Sequence, residues 1–319
     1  MEITIIVPGQ TFDPATISLK KLLLKGNRLE SRHHSSLESL YGLFEVTNSE
    51  AQDSPTAAFS ALTDIENSEG RTWIRADPVF LHADLTSLLL FDSQNFSLAR
   101  EEVEGIFSII NPLLEEDELR LIYGDDPLRW YLELKNNPSL TTTPPGIVNG
   151  QDIRPFLPAG EDRAYWIRLG NEIQMSLHGC SINQERQRRG EVPINSVWFW
   201  GTGKLPDQKK SKFDQVISND VNAQGLAIHA GIPHDNLPVD YNQFINTREK
   251  DQQILIVLSQ GKISLGDLAL SAPEIQKEWS IFEPVLSNIK KGKINQLEII
   301  TDDQHRIVKR SHLFRFWRK

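Results

Sequence analysis

The chain has 319 residues, 39% of them hydrophobic and 24% charged, a composition typical of globular rather than disordered or fibrous proteins. Its 34 basic and 43 acidic side chains give a net charge of −9, which excludes general attraction to nucleic acid or anionic lipid as a default. No apolar run reaches the roughly 18 residues of a membrane span, and the start does not resemble a signal peptide. Cys180 is the only cysteine, so an internal disulfide and a cysteine zinc cage are excluded. We expect a soluble, cytoplasmic chain of one large or two ordinary domains, without a nucleic-acid or membrane partner.

The first half of the chain mixes strand patterns with irregular segments. The predicted elements are, in chain order, a strand at 2–7, a helix at 17–24, a loop-rich stretch at 48–68, strands at 73–81 (broken by Pro78) and 88–91, and a capped helix from Ser97. Residues 136–160 are rich in Pro, Gly, Thr and Asn, and this composition predicts a linker.

After that segment, strands and helices alternate. The predicted elements are a helix at 164–177, a turn-rich stretch, a buried strand at 196–200, a helix at 216–230, a strand at 254–259, a helix at 279–289, and strands at 296–301 and 306–317. This alternation favours a largely parallel α/β sheet. The last of these strands mixes aromatic and basic residues; we interpret it as an edge strand rather than a nucleic-acid-binding tail, because the whole chain is acidic.

The densest polar stretch runs from His178 to Gly203. Asn183 and Arg186 are three residues apart, so one helical turn places both on one side. The strand that follows ends at Gly201-Thr-Gly203, where the backbone can approach a ligand closely. An arginine fork holds a phosphate or carboxylate through two parallel hydrogen bonds. The spacing therefore favours a small anion as the occupant of a pocket at Asn183, Arg186 and Asn195.

Several of these positions have a second interpretation. Arg75 and Asp77, within one predicted strand, form a buried ion pair or face a substrate. His178 is a cation at a helix C-terminus or faces a ligand. Arg186 contributes to the pocket or belongs to a solvated basic turn that Asn183 caps. Gly201-Thr-Gly203 is a ligand-facing loop or a simple tight turn.

Two resemblances cover this part of the chain. The pattern His178-x-x-x-Ile-Asn183-x-x-Arg186-x-x-x-Gly-x-x-Pro-x-Asn195, with the strand and Gly-x-Gly behind it, resembles archaeal-type cofactor-independent phosphoglycerate mutases of the alkaline-phosphatase superfamily. Trp73-Ile-Arg-Ala-Asp-Pro-Val is similar to a Phe-Arg-Cys-Asn strand in the inserted domain of those enzymes. A fuller resemblance, from about residue 70 to the end, is to bacterial RpfE-type regulatory proteins. It rests on that same segment, on Asn171-Glu-Ile-Gln-Met175 and on Arg315-Phe-Trp-Arg318.

The resemblance implies an α/β fold with an alkaline-phosphatase-like three-layer sheet core. It also implies a pocket where the family's phosphate site would be, lined by Arg75, Asn183, Arg186 and Asn195. We expect residues 1–70 and 161–319 to form this core, and residues 71–160 to form an inserted α+β lobe. The linker composition of 136–160 favours the same division.

The departures from the mutase pattern concern its metals. Enzymes of the superfamily hold two divalent metals with Asp and His ligands and use a Ser or Thr nucleophile. Their first strand ends in Asp-Gly, whereas here Val7-Pro8-Gly9 stands at that place, and Ser259-Gln-Gly261 replaces the Asp-x-x-Gly-His motif. Thr301-Asp-Asp-Gln-His305 is a faint form of the Ala-Asp-His ligand triplet or a hairpin turn. We predict no catalytic and no metal-binding residues, and a need for Mn²⁺ or Mg²⁺ only if the chain is an active enzyme.

Three functions remain open from the sequence. The first is a degenerate, non-catalytic mutase-like protein, a pseudoenzyme with a regulatory or phosphorylated-ligand-sensing role. The second is an active metal-dependent, 2,3-bisphosphoglycerate-independent phosphoglycerate mutase or phosphatase. The third is a protein-interaction module without a small-molecule site. The first predicts a small phosphorylated or carboxylated anion or a regulatory protein as partner. Its ligand-binding residues would be Arg75, Asp77, His178, Asn183, Arg186, Asn195, Gly201 and Gly203.

Overall fold

The computed structural model describes residues 1–8, 26–29, 35–46, 53–207, 211–259, 280–302 and 304–314. Two compact units divide the chain: the first consists of Met1–Thr47 and Gln208–Lys319, and the second of Asn48–Asp207. The strands are β1 (Glu2–Ile6), β2 (Asn27–Leu29), β3 (Thr72–Ala83), β4 (Leu88–Phe91), β5 (Leu121–Tyr123), β6 (Trp130–Leu134), β7 (Ser196–Lys204), β8 (Gln215–Ser218), β9 (His234–Asp235), β10 (Gln253–Val257), β11 (Gln296–Ile300) and β12 (His305–Lys309). The helices are α1 (Ser36–Leu43), α2 (Thr56–Asp64), α3 (Arg100–Leu114), α4 (Pro145–Val148), α5 (Arg163–Leu177), α6 (Ser181–Arg188), α7 (Val221–Ala230), α8 (Tyr241–Asn246) and α9 (Phe282–Lys291).

The first unit contains a seven-stranded sheet with the strand order β2-β12-β11-β1-β10-β8-β9. Strands β11, β1, β10 and β8 are parallel neighbours, and β12 is antiparallel to β11. Parallel strands are usually buried on both faces, and β1, β10 and β11 have the near-continuous Ile, Leu and Val content that this burial requires. The α/β fold class predicted from the sequence is confirmed.

Alternation along these strands separates two faces of the sheet. Ile3 and Ile5 of β1 belong to a buried apolar core that also contains residues of α8 and α9. Thr4 of β1 and Glu298 of β11, which are register partners, therefore point to the opposite face. No helix within the part of the chain that the structure describes is long and apolar enough to cross a membrane.

The second unit is organised around the long strand β3, which pairs antiparallel with β4, β6 and β7, while β5 extends the sheet beyond β6. Ile74 and Ala76 share an apolar core with residues of α3 and α5. Arg75 and Asp77 alternate with them and lie on the other face, where Ser60 of α2 is within 3.5 Å of Arg75. The two sides of β3 thus have different chemistry.

The unit boundaries differ from the predicted lobe at 71–160. Residues 161–207 belong to the second unit because β7 pairs with β3 and α5 packs in the core beneath it. Residues 136–160 do not link the two units: they lie against β4, where Leu90 N donates to the carbonyl of Gln151 at 3.1 Å. Turn-forming residues predicted an irregular backbone correctly, but not whether that backbone lies inside a unit or between units.

Other elements also differ from the sequence predictions. The stretch 48–68, which was predicted to be rich in loops, contains the helix α2. Pro55 directly precedes this helix, at a position where its missing N–H breaks no helical bond, and alanines occupy the following turns. The predicted helix at 216–230 begins only at Val221, after β8. The turn-rich stretch predicted after α5 contains the helix α6. Strands β5 and β6 were not predicted. Strand β12 ends at Lys309, whereas the predicted strand ran to residue 317. The strand that was predicted to break at Pro78 is continuous there. Pro78 lies between the residues of β3 that pair with β6 and those that pair with β4. The helix predicted at 17–24 lies outside the described residues.

Candidate functional site

The predicted site residues Arg75 and Asp77 form a buried ion pair on β3. Arg75 Nε and Nη2 donate to Asp77 Oδ1 at 2.9 and 2.6 Å, and Trp200 Nε1 donates to Asp77 Oδ2 at 2.8 Å. The guanidinium carbon lies 4.9 Å from the centre of the Tyr131 ring and 5.3 Å from that of Trp200. The two charged side chains are only 5% and 10% exposed. Of the two interpretations of Arg75 and Asp77, the structure shows the ion pair.

The electrostatics of this pair follow from its burial. Desolvation raises the pKa of Asp77 above its usual value, even though Arg75 and Trp200 stabilise the carboxylate. Desolvation also opposes the charge on Arg75, but Asp77 and Tyr131 together outweigh it, so the pKa of the guanidinium is raised. Each charge is therefore retained only because the other is present.

A second charge pair, which sequence analysis missed, adjoins the first. Arg129 Nε and Nη2 donate to the two oxygens of Asp64 at 2.6 and 2.7 Å, and the Tyr131 hydroxyl donates to Asp64 Oδ2 at 2.6 Å. Burial, reinforced by Asp64, raises the pKa of Tyr131. A signal was present in the sequence, since Arg129 directly precedes the apolar strand Trp130–Leu134. Arg75, Asp77, Asp64, Arg129 and Tyr131 are called the buried charge cluster below.

Asn183 and Arg186 of α6 are buried, but their bonds are internal. Asn183 Nδ2 donates to the carbonyls of Leu177 and Ile194 at 3.1 and 2.8 Å, and Asn183 Oδ1 accepts from the N–H of Ile194 at 2.8 Å. Arg186 Nε donates to the carbonyl of Val192 at 2.8 Å, and Arg186 Nη1 donates to Glu102 Oε2 at 2.9 Å. These two side chains hold the loop that leads from α6 into β7.

Asn195 and His178 have separate surroundings. Asn195 Oδ1 accepts from the N–H of Leu81 at 2.7 Å and its Nδ2 donates to the carbonyl of Leu81 at 2.8 Å, so the amide continues the β3–β7 ladder by one step. His178 is exposed and ends α5, where its N–H bonds to the carbonyls of Gln174 and Met175. Of the two positions considered for His178, the structure shows the one at a helix C-terminus.

The four residues predicted to line one anion pocket are not brought together. Arg75 lies on the α2 side of β3, whereas Asn183 and Arg186 belong to α6, and Ile182 of that helix packs in the core on the other side of β3. A three-residue spacing predicted correctly that Asn183 and Arg186 share a helix side, but that side faces the protein interior. The pocket prediction is corrected on this point: both arginines already have carboxylate partners.

At Gly201 and Gly203, strand β7 passes close to Pro55 and Thr56, where α2 begins. A Cβ on Gly201, which has a φ of +67°, would stand 2.9 Å from Thr56 Cβ, and a Cβ on Gly203 would stand 2.7 Å from Pro55 Cβ. Glycine at both positions allows this close approach. The close contacts at Gly201 and Gly203 are made by the chain itself, whereas the prediction concerned approach to a ligand; the N–H of Gly201 points to the carboxylate of Asp53 at 3.2 Å.

In the first unit, the carboxyl edge of the parallel sheet is where a mutase-like metal centre would be expected. Asp220, after β8, accepts hydrogen bonds from the N–H groups of Asn222 and Ala223 at 2.9 and 3.0 Å. Asp302, after β11, accepts from the N–H of Ser36 at 2.6 Å. Both carboxylates therefore cap helix N-termini, of α7 and α1 respectively. Three strand spacings of about 4.8 Å place β8 and β11 about 14 Å apart.

This donor set does not fit a two-metal centre. Divalent metals of this kind need several carboxylates and imidazoles that converge on one point. Across residues 1–8, 26–29, 35–46, 53–207, 211–259, 280–302 and 304–314, no group of three or more His, Cys, Asp or Glu side chains could hold a metal ion.

His305, the other candidate of the Thr301–His305 segment, bonds to a buried carboxylate instead. His305 Nε2 lies 2.7 Å from Glu298 Oε1, and Thr4 Oγ1 donates to Glu298 Oε2 at 2.9 Å. Burial opposes the charge on Glu298, but His305, Lys212 and Thr4 together lower its pKa to about 2. Sequence analysis missed Glu298; its signal was a single acid inside the apolar strand Gln296–Ile300.

Comparison with known proteins places these features in context. No family model matches the sequence. The chain is 27% identical over 151 residues to the probable 2,3-bisphosphoglycerate-independent phosphoglycerate mutase of Geobacter sulfurreducens, a match that covers 46% of this chain and 38% of the relative. It is 25% identical over 190 residues to the corresponding mutase of Methanosarcina mazei, covering 56% of this chain and 47% of the relative. The chain is distantly homologous to cofactor-independent phosphoglycerate mutases. It spans less than half the length of these two relatives.

Two solved structures are similar over most of the chain. The cofactor-independent phosphoglycerate mutase from Thermoplasma acidophilum has a TM-score of 0.46 and 15% identity, covering 97% of this chain and 89% of that one. A protein from Pyrococcus horikoshii has a TM-score of 0.49 and 13% identity, with coverages of 97% and 87%.

Proposed function

We propose that this chain is a non-catalytic relative of the phosphoglycerate mutases with a regulatory role, of the kind its resemblance to RpfE-type regulatory proteins implies. One observation carries the proposal: the carboxylates of Asp220 and Asp302, at the carboxyl edge of the sheet, bind the N-termini of α7 and α1. A cytoplasmic location and independence from a metal cofactor belong to the same proposal.

The reason is that Asp220 and Asp302 each accept these helix N–H bonds with Oδ1, so ligation of a metal through both oxygens of either carboxylate would break them. A carboxylate that accepts helix N–H bonds stabilises that helix by about 1 kcal/mol, which ligation through the same oxygen would forfeit. The chemistry of the superfamily uses metals to activate the nucleophile and to neutralise phosphoryl charge, a contribution that side chains alone replace poorly. Sequence supports the same conclusion, since Val7-Pro8 stands where the mutase pattern has a ligand aspartate.

The predicted phosphate-sensing residues do not support a ligand pocket of their own. A phosphate could reach Arg75 or Arg186 only by displacing Asp77 or Glu102, both of which are hydrogen-bonded to their arginine within 3 Å. Displacement of Asp77 would leave a buried carboxylate without its guanidinium partner, and displacement of Glu102 would break the ion pair that holds the buried Arg186. The regulatory role is therefore assigned to contacts that leave these ion pairs intact.

Titration with Mn²⁺, followed by the electron paramagnetic resonance signal of the free ion, tests the proposal. We expect the purified full chain to bind no Mn²⁺ saturably at micromolar concentrations, and the Asp302→Ala variant to give the same titration curve. The matched control is Glu104→Ala, an exposed acid on α3. Stoichiometric binding of two Mn²⁺ ions that Asp302→Ala weakens and Glu104→Ala does not would contradict the proposal and favour an active metal-dependent mutase or phosphatase.

A further inference from the structure

The pairing of β3 with β7 is interrupted by a bulge. Trp73 lies opposite Gly203 and Arg75 lies opposite Trp200, so that Gly201 and Thr202 together oppose the single residue Ile74. A bulge of this kind turns backbone N–H groups out of the ladder, and it frequently re-aims groups at functional sites. Here Gly201 takes the left-handed conformation, with a φ of +67°.

The N–H groups released by the bulge converge on one carboxylate. The N–H of Gly201 is shared between Thr142 Oγ1 at 3.0 Å and Asp53 Oδ2 at 3.2 Å, and the N–H of Thr202 is directed at the same carboxylate. On the other side, the N–H of Thr142 donates to Asp53 Oδ1 at 2.7 Å and the Thr142 hydroxyl donates to Oδ2. Consecutive backbone N–H groups that point to one spot form an anion-binding nest. The bulge nest, defined as the N–H groups of Gly201, Thr202 and Thr142 with the Thr142 hydroxyl, thus holds four donors.

Asp53 occupies this nest at an electrostatic cost. Burial raises the pKa of Asp53 above its usual value, and the four hydrogen bonds only partly offset this effect. All four donors belong to β7 and to the segment after β6, and none of them carries a charge. The nest therefore selects for a small oxyanion rather than for aspartate in particular.

We propose that the bulge nest is an anion-binding site for a small carboxylate or phosphate, which Asp53 fills as an internal ligand. A tethered side chain competes at an effective concentration of about millimolar, so free anions below that level leave Asp53 in place. Removal of the Asp53 carboxylate opens the nest to external anions. The site is distinct from the buried charge cluster, and it does not depend on whether the chain turns over a substrate.

Chemical rescue of an Asp53→Ala variant of the full chain tests this site. We expect Asp53→Ala to lower the melting temperature, and sodium formate to restore at least half of the loss relative to sodium chloride at equal ionic strength. Sodium phosphate at the same ionic strength is the second arm. A larger effect of formate identifies a carboxylate ligand, and a larger effect of phosphate identifies a phosphoryl ligand. The wild-type protein, whose nest is filled, measures the general effect of each salt on the melting temperature, and rescue is the response of Asp53→Ala beyond that effect.

Two further variants make the result specific. Glu104→Ala removes an exposed acid and should give no response to formate or phosphate beyond that to chloride. Asp53→Ala combined with Thr142→Val should lose most of the rescue, because the hydroxyl donor is gone. If Asp53→Ala does not fold in chloride, the yield of folded protein after dilution from urea replaces the melting temperature, and formate or phosphate should raise it. Equal behaviour of Asp53→Ala in formate, phosphate and chloride overturns the proposal.

Discussion

Replacing Arg75 with methionine is expected to lower the free energy of unfolding by about 3–5 kcal/mol, among the largest effects of any single substitution in the second unit. Methionine retains much of the volume between Tyr131 and Trp200, but it leaves Asp77 charged, buried and without its guanidinium partner. An uncompensated charge inside the protein is far more costly than the loss of a solvent-exposed pair. Urea denaturation at neutral pH, followed by tryptophan fluorescence, measures the difference.

Arg71 provides the matched control, because it lies four residues earlier and pairs with Glu133 at the surface. Both side chains of that pair are 47% exposed, so Arg71→Met should cost at most about 1 kcal/mol. The double variant Arg75→Met/Asp77→Asn should recover part of the stability lost in Arg75→Met, because it no longer contains a buried carboxylate that lacks its guanidinium partner. Equal effects of Arg71→Met and Arg75→Met would show that the buried pair is not the source of the stabilisation.

Stability of the first unit is expected to fall steeply in acid because of Glu298. Its pKa is lowered to about 2 in the folded protein from an ordinary value near 4.5. A depressed carboxyl pKa contributes stability that is complete above the unfolded value and disappears as the pH falls through the folded value. The contribution is about 3 kcal/mol, and it should be lost between about pH 4.5 and pH 2.

The variant Glu298→Gln isolates this effect. At neutral pH it should be less stable than the wild type by up to about 3 kcal/mol, and the difference should shrink as the pH approaches 2. Glu283→Gln, an exposed acid in the first turn of α9, is the control and should follow the wild-type pH dependence. A constant difference between Glu298→Gln and wild type across this pH range would exclude the proposed linkage.

Local patterns predicted the first unit well and the second unit less well, for a physical reason. The apolar runs of β1, β10 and β11 each form a strand that is buried regardless of its neighbours, so composition alone identifies them. The second unit depends on pairing between distant segments: β3 and β7 are more than a hundred residues apart, and only their ladder assigns residues 161–207 to this unit. Sequence spacing contains no such information about long-range pairing.

The site residues show the same division. Spacing predicted correctly that Asn183 and Arg186 lie on one side of a helix. It did not predict that the backbone at Gly201 packs against Thr56 of the same chain. It could not predict that Glu102 and Asp77 would already satisfy the two arginines, because those partners depend on tertiary packing. It also missed Asp53, whose only sequence signal was an acid close to a Ser-Pro turn.

Interconversion of 3- and 2-phosphoglycerate is the most direct test of the proposed non-catalytic role. The purified full chain is assayed with Mn²⁺ or Mg²⁺, with and without a chelator, beside an Asp302→Ala variant prepared in the same way to detect contaminating mutase. The predicted result is a rate equal to the protein-free blank in all conditions and for both proteins. Turnover that requires Mn²⁺ or Mg²⁺, disappears with the chelator and is lost in Asp302→Ala would contradict the proposal.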